Sequence, residues 1–354
     1  MPYSIHDTSI FVAQNKKVYF VSDRKTSLEE VPFPHGEIAH IYAGGYNDYS
    51  IFVVTQRGEL YVYGDNTHNN LGVDTPHWVN EWQKVHLDHE VEKVFSRENY
   101  TALLTKNGTV YIAGSDYSTL FIKLNMDTYG HVLQLAAAKD YLLILTRKGL
   151  FDCRFKSPDC PITPIYLPEQ IIKISAYEFE SIISTKEGVF TYKEFKSALW
   201  TQISEETFVD IGSGIHHHLA LTKYNELFGW GMNHAKPLGT ETGILTNHPK
   251  QLFSSIHTFH CGPSSTLLLT GDSENPTMYL LGKRPALYKV IEPYLYEAFK
   301  KEYQQKSRSK QNGNLKKYLT EPAFNDITFF VPPEKTSEDE GEKEVHVPQL
   351  QNQH

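Results

Sequence analysis

Residues 102–111 read ALLTKNGTVY and residues 52–61 read FVVTQRGELY, and repeats of this phrase run through most of the chain. In each copy an apolar run ends at a Thr, two variable residues and a Gly follow, and a second apolar run begins. Apolar β-forming runs on both sides of a tight turn are typical of a β-hairpin. Gly at the fourth position of the turn adopts the positive φ that a side chain resists. The phrase therefore predicts two antiparallel strands joined by a Thr-x-x-Gly turn.

With five weaker copies, these two place the anchor of the phrase at positions 13, 55, 105, 146, 185, 222 and 270. The period is therefore about 40 residues, within the range typical of repeat architectures. A third apolar stretch precedes most copies, as in residues 132–135 (VLQL) and 171–174 (IIKI). Short strands at a constant period, with no helical pattern between them, are typical of a β-propeller. We predict an all-β, seven-bladed propeller over residues 1–283, in which the N-terminal strands complete the last blade.

Two copies resemble the regulator of chromosome condensation repeat. Residues 211–222 (IGSGIHHHLALT) and 227–233 (LFGWGMN) match its pattern of Ser-Gly-x-x-His, apolar run, Thr, turn and Trp-Gly-x-Asn. Residues 60–72 (LYVYGDNTHNNLG) match the second half, including the Asn and the closing Leu-Gly. His217 occupies the His position of the repeat. The corresponding residues of the other units are Ser50, Tyr100, Tyr141, Glu180 and Ser265. The resemblance covers the predicted propeller, closely in two units and loosely in five.

Motifs for chemistry are scarce in this sequence. The run 216–218 (HHH) cannot hold one ion with all three rings, because consecutive strand residues point to opposite faces. Cys153 and Cys160 lack the second Cys pair of a zinc site. No Gly-rich phosphate loop follows a strand, and no nucleophile lies in an elbow motif. We therefore expect no catalytic, cofactor-binding or metal-binding residues, and a protein that is not an enzyme.

The charge distribution bears on the class of partner. Residues 284–354 contain 11 basic and 11 acidic residues, so the formal net charge of −8 lies in the predicted propeller. An acidic ring is a poor generic partner for nucleic acid. No apolar run approaches the roughly 20 residues of a membrane span. Three Cys in a large core fit a reducing compartment without a disulfide framework. We expect a cytoplasmic or nuclear protein that binds neither nucleic acid nor a membrane.

Three further segments are predicted after the propeller. Residues 284–305 repeat apolar residues at i, i+3, i+4 and i+7, which predicts an amphipathic helix packed on the propeller's flank. Residues 306–320 are basic and polar, as in a flexible linker. Residues 324–331 (FNDITFFV) and 344–350 (EVHVPQL) resemble the opening hairpin of a BTB (POZ) domain. Residues 321–354 are thus either an incomplete BTB-like segment or a disordered tail, and we expect a monomer.

Three functions are compatible with these features. The favoured one is a non-catalytic platform whose protein partner binds at one rim of the propeller. The resemblance implies, as an alternative, a guanine-nucleotide exchange factor for a Ran-like small GTPase. The BTB-like fragment implies, as a further alternative, a substrate adaptor of a cullin-type ubiquitin ligase. The founding member of the family inserts a β-wedge into its GTPase, and no such wedge can be aligned here. The longest insertions are residues 75–84 and 270–275.

Overall fold

The structure is a computed structural model that places 27 β-strands in seven antiparallel sheets. It describes residues 3–6, 9–22, 25–44, 49–114, 117–154, 161–166, 170–193, 200–240, 246–271, 276–282, 291, 294 and 296.

Each sheet is one blade, and its strands follow one another in chain order. Blades 1 to 4 contain β1 (Tyr3–His6), β2 (Ser9–Gln14), β3 (Lys17–Ser22), β4 (Lys25–Pro32), β5 (Ile38–Gly44), β6 (Ser50–Thr55), β7 (Leu60–Asn66), β8 (His77–Val85), β9 (Val91–Ser96), β10 (Tyr100–Thr105), β11 (Val110–Gly114), β12 (Ser118–Lys123), β13 (Val132–Ala137), β14 (Tyr141–Thr146), β15 (Gly149–Arg154) and β16 (Ile162–Ile165). Blades 5 to 7 contain β17 (Ile171–Tyr177), β18 (Glu180–Thr185), β19 (Gly188–Lys193), β20 (Thr201–Ser204), β21 (Asp210–Ser213), β22 (His217–Leu221), β23 (Leu227–Gly231), β24 (Thr246–Phe253), β25 (Thr258–Cys261), β26 (Ser265–Gly271) and β27 (Pro276–Gly282).

The seven-bladed propeller predicted from the repeat is confirmed. First strands of neighbouring blades contact one another, as β1 does with β5, β13 with β17 and β17 with β21. These strands therefore form the inner ring, and the fourth strands lie outermost. The core consists of apolar clusters between adjacent sheets, such as the one that joins Leu143 and Leu145 of β14 to Ile183 of β18. Burial of apolar surface between blades is the main source of their stability.

The Thr anchors occupy equivalent places at the end of the second strand, and the hydroxyl explains why Thr recurs there. The amide of Glu59 donates to Thr55 Oγ1 (3.2 Å), and the amide of Thr109 donates to Thr105 Oγ1 (2.9 Å). Gly108 has a φ of +82° and donates its amide to the Thr105 carbonyl (2.9 Å). The predicted Thr-x-x-Gly turn is therefore confirmed, with the Thr side chain holding the return strand.

The N-terminal strands do not complete the last blade, so that prediction was wrong. Strands β1 to β4 pair with one another and form a four-stranded blade of their own, while the described strands of blade 7 are β25 to β27. The first unit resembled a truncated repeat because its hairpin uses a different turn. Gln14 pairs with Lys17, and the two intervening residues, Asn15 and Lys16, have φ of 52° and 59°. Two positive φ values define a type I′ turn, which needs no Thr-x-x-Gly sequence.

Three residues of the predicted helix at 284–305 are described, and all three are helical. Ile291 is fully buried, and the ring of Tyr294 stacks on Tyr19 of β3 with centroids 4.9 Å apart. The segment after blade 7 thus contacts blade 1. The rest of that segment, the predicted linker at 306–320 and the BTB-like residues 321–354 lie outside the described residues. Among the residues that the structure describes, no helix has the length and apolar character required to cross a bilayer.

Candidate protein-interaction surface

Antiparallel strands give the propeller two different rims. The turns between second and third strands and the connections between blades lie at one end, which we call the turn rim. The loops between first and second strands and between third and fourth strands lie at the other end, which we call the loop rim. The region 75–84, which reads as an insertion in the sequence, belongs mostly to β8, the long outer strand of blade 2.

Buried polar contacts connect successive blades near the loop rim. They start from the residue that opens the second strand, the position at which the repeat family has His. The hydroxyl of Tyr100 lies 2.8 Å from the carbonyl oxygen of Ala138 and 2.9 Å from that of Tyr141, both in or next to blade 4. The hydroxyl of Tyr141 lies 2.7 Å from Ser181 Oγ of blade 5. Since both rings are buried, each contact fixes one blade against the next.

Polar contacts of the same kind connect blade 5 to blade 6 and blade 6 to blade 7. Glu180 Oε2 of blade 5 lies 3.2 Å from His218 Nε2 of blade 6. His217 Nε2 lies 3.2 Å from Thr266 Oγ1 of blade 7. The two adjacent imidazoles therefore point to opposite faces of β22, as the strand period requires. His217 is therefore buried in the core and hydrogen-bonded to Thr266.

Burial determines the ionisation of His217. Its side chain is 1% exposed, and burial, followed by the neighbouring His218 and His216, lowers its pKa to about 3. The imidazole is therefore neutral at physiological pH and serves as a structural hydrogen-bonding group. Within the described ranges no group of three His, Cys, Asp or Glu side chains is arranged to hold a metal ion.

The cysteines differ from expectation. Cys153 is buried in β15 and is disulfide-bonded. Cys261 is a free thiol whose pKa is raised by burial. The expectation of a chain without disulfides was therefore wrong for Cys153. An odd number of cysteines leaves one thiol over but does not exclude one bonded pair, so the count alone could not decide this.

Two Asn side chains hold loops of the loop rim by hydrogen bonds to backbone carbonyls within those loops. Asn66 fastens the loop after β7, donating to the carbonyl oxygens of Val73 (3.1 Å) and Thr75 (2.6 Å). Asn233 fastens the equivalent loop of blade 6 in the same way, donating to the Thr240 carbonyl (2.9 Å). These two Asn residues are the landmarks of the repeat in the two best-matching units, and their function is to close these loops onto their own blades.

Arg97 lies at the inner end of three blades. Its Nε donates to the carbonyl of Ala137 in blade 4 (2.8 Å), and Nη2 donates to the carbonyl of Ala176 in blade 5 (3.1 Å). The guanidinium carbon is 4.4 Å from the ring centroid of Tyr177. These internal hydrogen bonds occupy guanidinium donors of Arg97 and fix its position.

The turn rim has a different character. In blades 1 to 6 every turn between the second and third strands contains a cation. These cations are Lys16, Arg57, Lys106, Arg147, Lys148, Lys186 and Lys223. In blades 1 and 3 the turn cation has an acidic partner, since Lys16 lies 3.8 Å from Glu37 and Lys106 lies 2.6 Å from Glu90. No ion pair of Arg147 or Lys148 occurs among the described residues. The blade 4 turn thus has two adjacent exposed cations that form no ion pair with any carboxylate the structure describes.

A groove of about 470 Å³ opens beside these two cations, between blades 4 and 5. Its lining combines polar groups with the apolar residues Leu133, Leu145, Leu150, Phe151, Pro164, Ile165, Tyr166 and Ile171. Leu145 and Leu150 belong to the core cluster that joins the two blades, so the groove lies against that core. Its volume is within the range of natural ligand pockets.

Three of the large apolar side chains that the described residues expose project from the turn rim over blades 4 to 6. Tyr166 is 88% exposed, Tyr224 69% and Val209 39%. Burial of such side chains at an interface removes apolar surface from water. None of these residues was singled out from the sequence, where the turns served only to count repeats. The sequence does show that the blade 4 turn contains two consecutive cations, Arg147 and Lys148.

Comparison with curated proteins shows a limited sequence match. No family model matches the chain. The regulator of chromosome condensation of Xenopus laevis is 30% identical over 108 residues, which cover 26% of this chain and 25% of that protein. An uncharacterized protein of Acanthamoeba polyphaga mimivirus is 33% identical over 75 residues, covering 20% of this chain and 8% of the relative. The matched segments thus span a quarter or less of these relatives' length.

Comparison with solved structures covers most of the chain. Human WBSCR16 is 17% identical with a TM-score of 0.64, and the match covers 77% of this chain and 87% of that one. Prp20p from Saccharomyces cerevisiae, the yeast RCC1, is 14% identical with a TM-score of 0.59, covering 82% of this chain and 84% of that one. Identities this low establish the fold alone. The chain is a seven-bladed β-propeller similar to the regulator of chromosome condensation.

Proposed function

We propose that this protein is a non-catalytic interaction platform whose turn rim binds a protein partner. The observation that carries the proposal is the exposure of Tyr166, Tyr224 and Val209 on the turn rim of three consecutive blades. Aromatic residues are enriched at protein interfaces because they bury a large area at a low cost in side-chain entropy. The resemblance to Prp20p, whose binding to Gsp1p and histones has been described, is compatible with a protein partner.

The rigid parts of the fold that carry these three side chains support the same function. Tyr224 lies in the turn between β22 and β23, and the residues of β22 are all buried. Tyr166 and Val209 lie in connections between blades that the Tyr141 and Glu180 contacts hold together. A rigid support lowers the entropy lost on association, so that more of the contact energy appears as affinity.

Affinity capture with rim variants tests the proposal. We expect a Tyr166→Ser/Tyr224→Ser variant of the full chain to lose the proteins that the wild-type chain captures, as quantified by mass spectrometry. The matched control is Trp78→Ser/Met232→Ser, which removes two exposed apolar side chains from the loop rim. Loss of the same proteins from the control alone would place the binding surface on the opposite rim. Capture that neither variant alters would refute a platform built on exposed apolar groups.

The exchange-factor alternative has its own test. We expect the full chain at micromolar concentration to leave the release of mant-GDP from a Ran-like GTPase at its spontaneous rate. An exchange factor must displace the phosphate and magnesium contacts of the nucleotide, and the described loops of blades 3 to 5 on the loop rim are short, spanning 97–99, 138–140 and 178–179. Acceleration of about tenfold or more, which corresponds to about 1.4 kcal/mol of barrier, would favour exchange activity over the platform.

The remaining expectations stay predictions. The substrate-adaptor alternative and the expected monomeric state depend on residues 321–354, which lie outside the described residues. Residence in the cytoplasm or nucleus likewise stays a prediction. Sedimentation of the full chain tests the monomeric state directly, because a dimer would double the sedimenting mass.

A further inference from the structure

We propose that the groove between blades 4 and 5 binds an acidic peptide segment of a partner protein, with an apolar side chain in the groove and carboxylates on Arg147 and Lys148. This inference rests on the proposed platform function and names the kind of partner it takes. Leu133, Leu145 and Leu150 are among the residues that line the groove. Apolar lining residues beside two cations fit a ligand that has both an apolar and an acidic part.

The charge of the groove is the main observation. The described residues that line it include Arg147 and Lys148 but no Asp or Glu. Both cations are exposed, and the Lys148 ammonium donates to the backbone carbonyl oxygen of Thr128 (3.0 Å), which fixes its position without neutralising it. A local cation pair on a chain with a formal net charge of −8 selects a segment rich in carboxylates, because opposite potentials favour encounter and fix its orientation.

A second groove on the turn rim has a different set of charges, and the difference supports the proposed ligand. It lies between blades 2 and 3, has a volume of about 250 Å³, and contains both signs of charge. Lys84 forms an ion pair with Glu59 at 2.5 Å, and Glu90 is paired with Lys106 at 2.6 Å. The lining of this groove thus includes the carboxylates of Glu59, Asp88 and Glu90 beside its cations. Equivalent grooves therefore differ in whether described carboxylates lie next to the cations.

Charged residues around the groove restrict where the acidic part of the peptide can lie. Toward blade 6 the turn rim has the exposed carboxylates of Glu187, Glu205 and Glu206, which would repel an acidic segment. Toward blade 3 lie the Thr128 carbonyl, which accepts from Lys148, and the exposed carboxylate of Asp127, so acidic residues lie on both sides of the blade 4 turn. We therefore infer that the apolar anchor enters between Leu150 and Tyr166 and that the acidic part runs across the blade 4 turn. Tyr166, 88% exposed, is then positioned to cover the anchor.

Fluorescence anisotropy with the full chain tests this inference. The probe is a fluorescein-labelled peptide, Ser-Leu-Phe-Glu-Glu-Asp-Glu-Gly. We expect Arg147→Glu/Lys148→Glu to weaken its binding by about tenfold or more, a change of about 1.4 kcal/mol or more, and rising salt to weaken wild-type binding. The matched control is Arg57→Glu/Lys106→Glu, which reverses exposed cations in the turns of blades 2 and 3 and should leave binding within about twofold.

Peptide variants separate the two parts of the proposed ligand. Replacing the acidic residues with Gln and Asn should remove the dependence on Arg147 and Lys148, and replacing Leu-Phe with Ser-Ser should remove the dependence on Tyr166. No binding of the probe by the wild-type chain, or equal loss with the control variant, would overturn the inference. The proposed platform would survive that result if the rim variants above still lost captured proteins.

The chain's own acidic stretch is the competing occupant. Residues 334–344 (EKTSEDEGEKE) follow the apolar run 327–331 (ITFFV). A full chain in which the acidic residues of 334–344 are replaced by Gln and Asn should bind the probe with unchanged affinity if the partner is a separate protein. Binding that becomes about tenfold tighter would show that this stretch occupies the groove, which would overturn the assignment to an external partner.

Discussion

Gly188→Ala is expected to destabilise the propeller by about 2–6 kcal/mol, the largest effect of any single substitution proposed for this chain. Gly188 opens β19 with a φ of +134°. Strain in this region costs on the order of 1–3 kcal/mol for a non-glycine residue. A Cβ at this position would also overlap the carbonyl oxygen of Ser204. Because that oxygen belongs to the backbone of β20, it cannot rotate away, and overpacking adds roughly 1–3 kcal/mol.

Gly149→Ala is the matched control. Gly149 opens β15 after the equivalent turn and has a φ of +143°, but no atom lies within 4 Å of the position its Cβ would take. We expect this variant to lose only the strain contribution, about 1–3 kcal/mol. Urea denaturation of both variants measures the difference. Equal losses of unfolding free energy would mean that β20 yields to the added methyl group and that the outer strand of blade 5 is loosely held.

Acidification is expected to destabilise the propeller through His217. The folded-state pKa is lowered from 6.5 to about 3, so the unfolded chain binds a proton over this range and the folded chain does not. Stability from this group is therefore fully present above pH 6.5 and is lost as the pH falls toward 3. The slope is about 1.4 kcal/mol per pH unit, which gives a loss of about 2 kcal/mol by about pH 5.

The contribution of His217 is isolated by two variants. His217→Gln replaces the imidazole with an amide that cannot titrate. Between about pH 6.5 and pH 5, the unfolding free energy of this variant should therefore fall by about 2 kcal/mol less than that of the wild-type protein. His86→Gln removes an exposed imidazole and is the control for replacing a histidine outside the core. Identical pH slopes for wild type and His217→Gln would contradict the assigned burial.

The sequence by itself determined the hairpin, the number of blades and the position of the Thr anchors. These features are local, because a turn and the alternation of its flanking strands involve residues within one repeat. The same reasoning failed at Asn15 and Lys16, where a second kind of turn satisfies the same backbone requirement. It also could not identify the disulfide at Cys153, because the number of cysteines does not show which of them lie close together in the fold.

Only the tertiary structure decided which polar residues connect the blades and which charges stay free. Tyr141 and Ser181 are 40 residues apart in the chain but 2.7 Å apart in the fold. Arg147 and Arg57 occupy equivalent turns, yet the groove beside Arg147 lacks carboxylates among its described lining residues and the groove beside Arg57 contains them. The physical reason is that a charged group or hydroxyl interacts with a residue of the neighbouring blade. Which residue lies there depends on how the blades are arranged around the propeller, and not on the adjacent residues in the sequence.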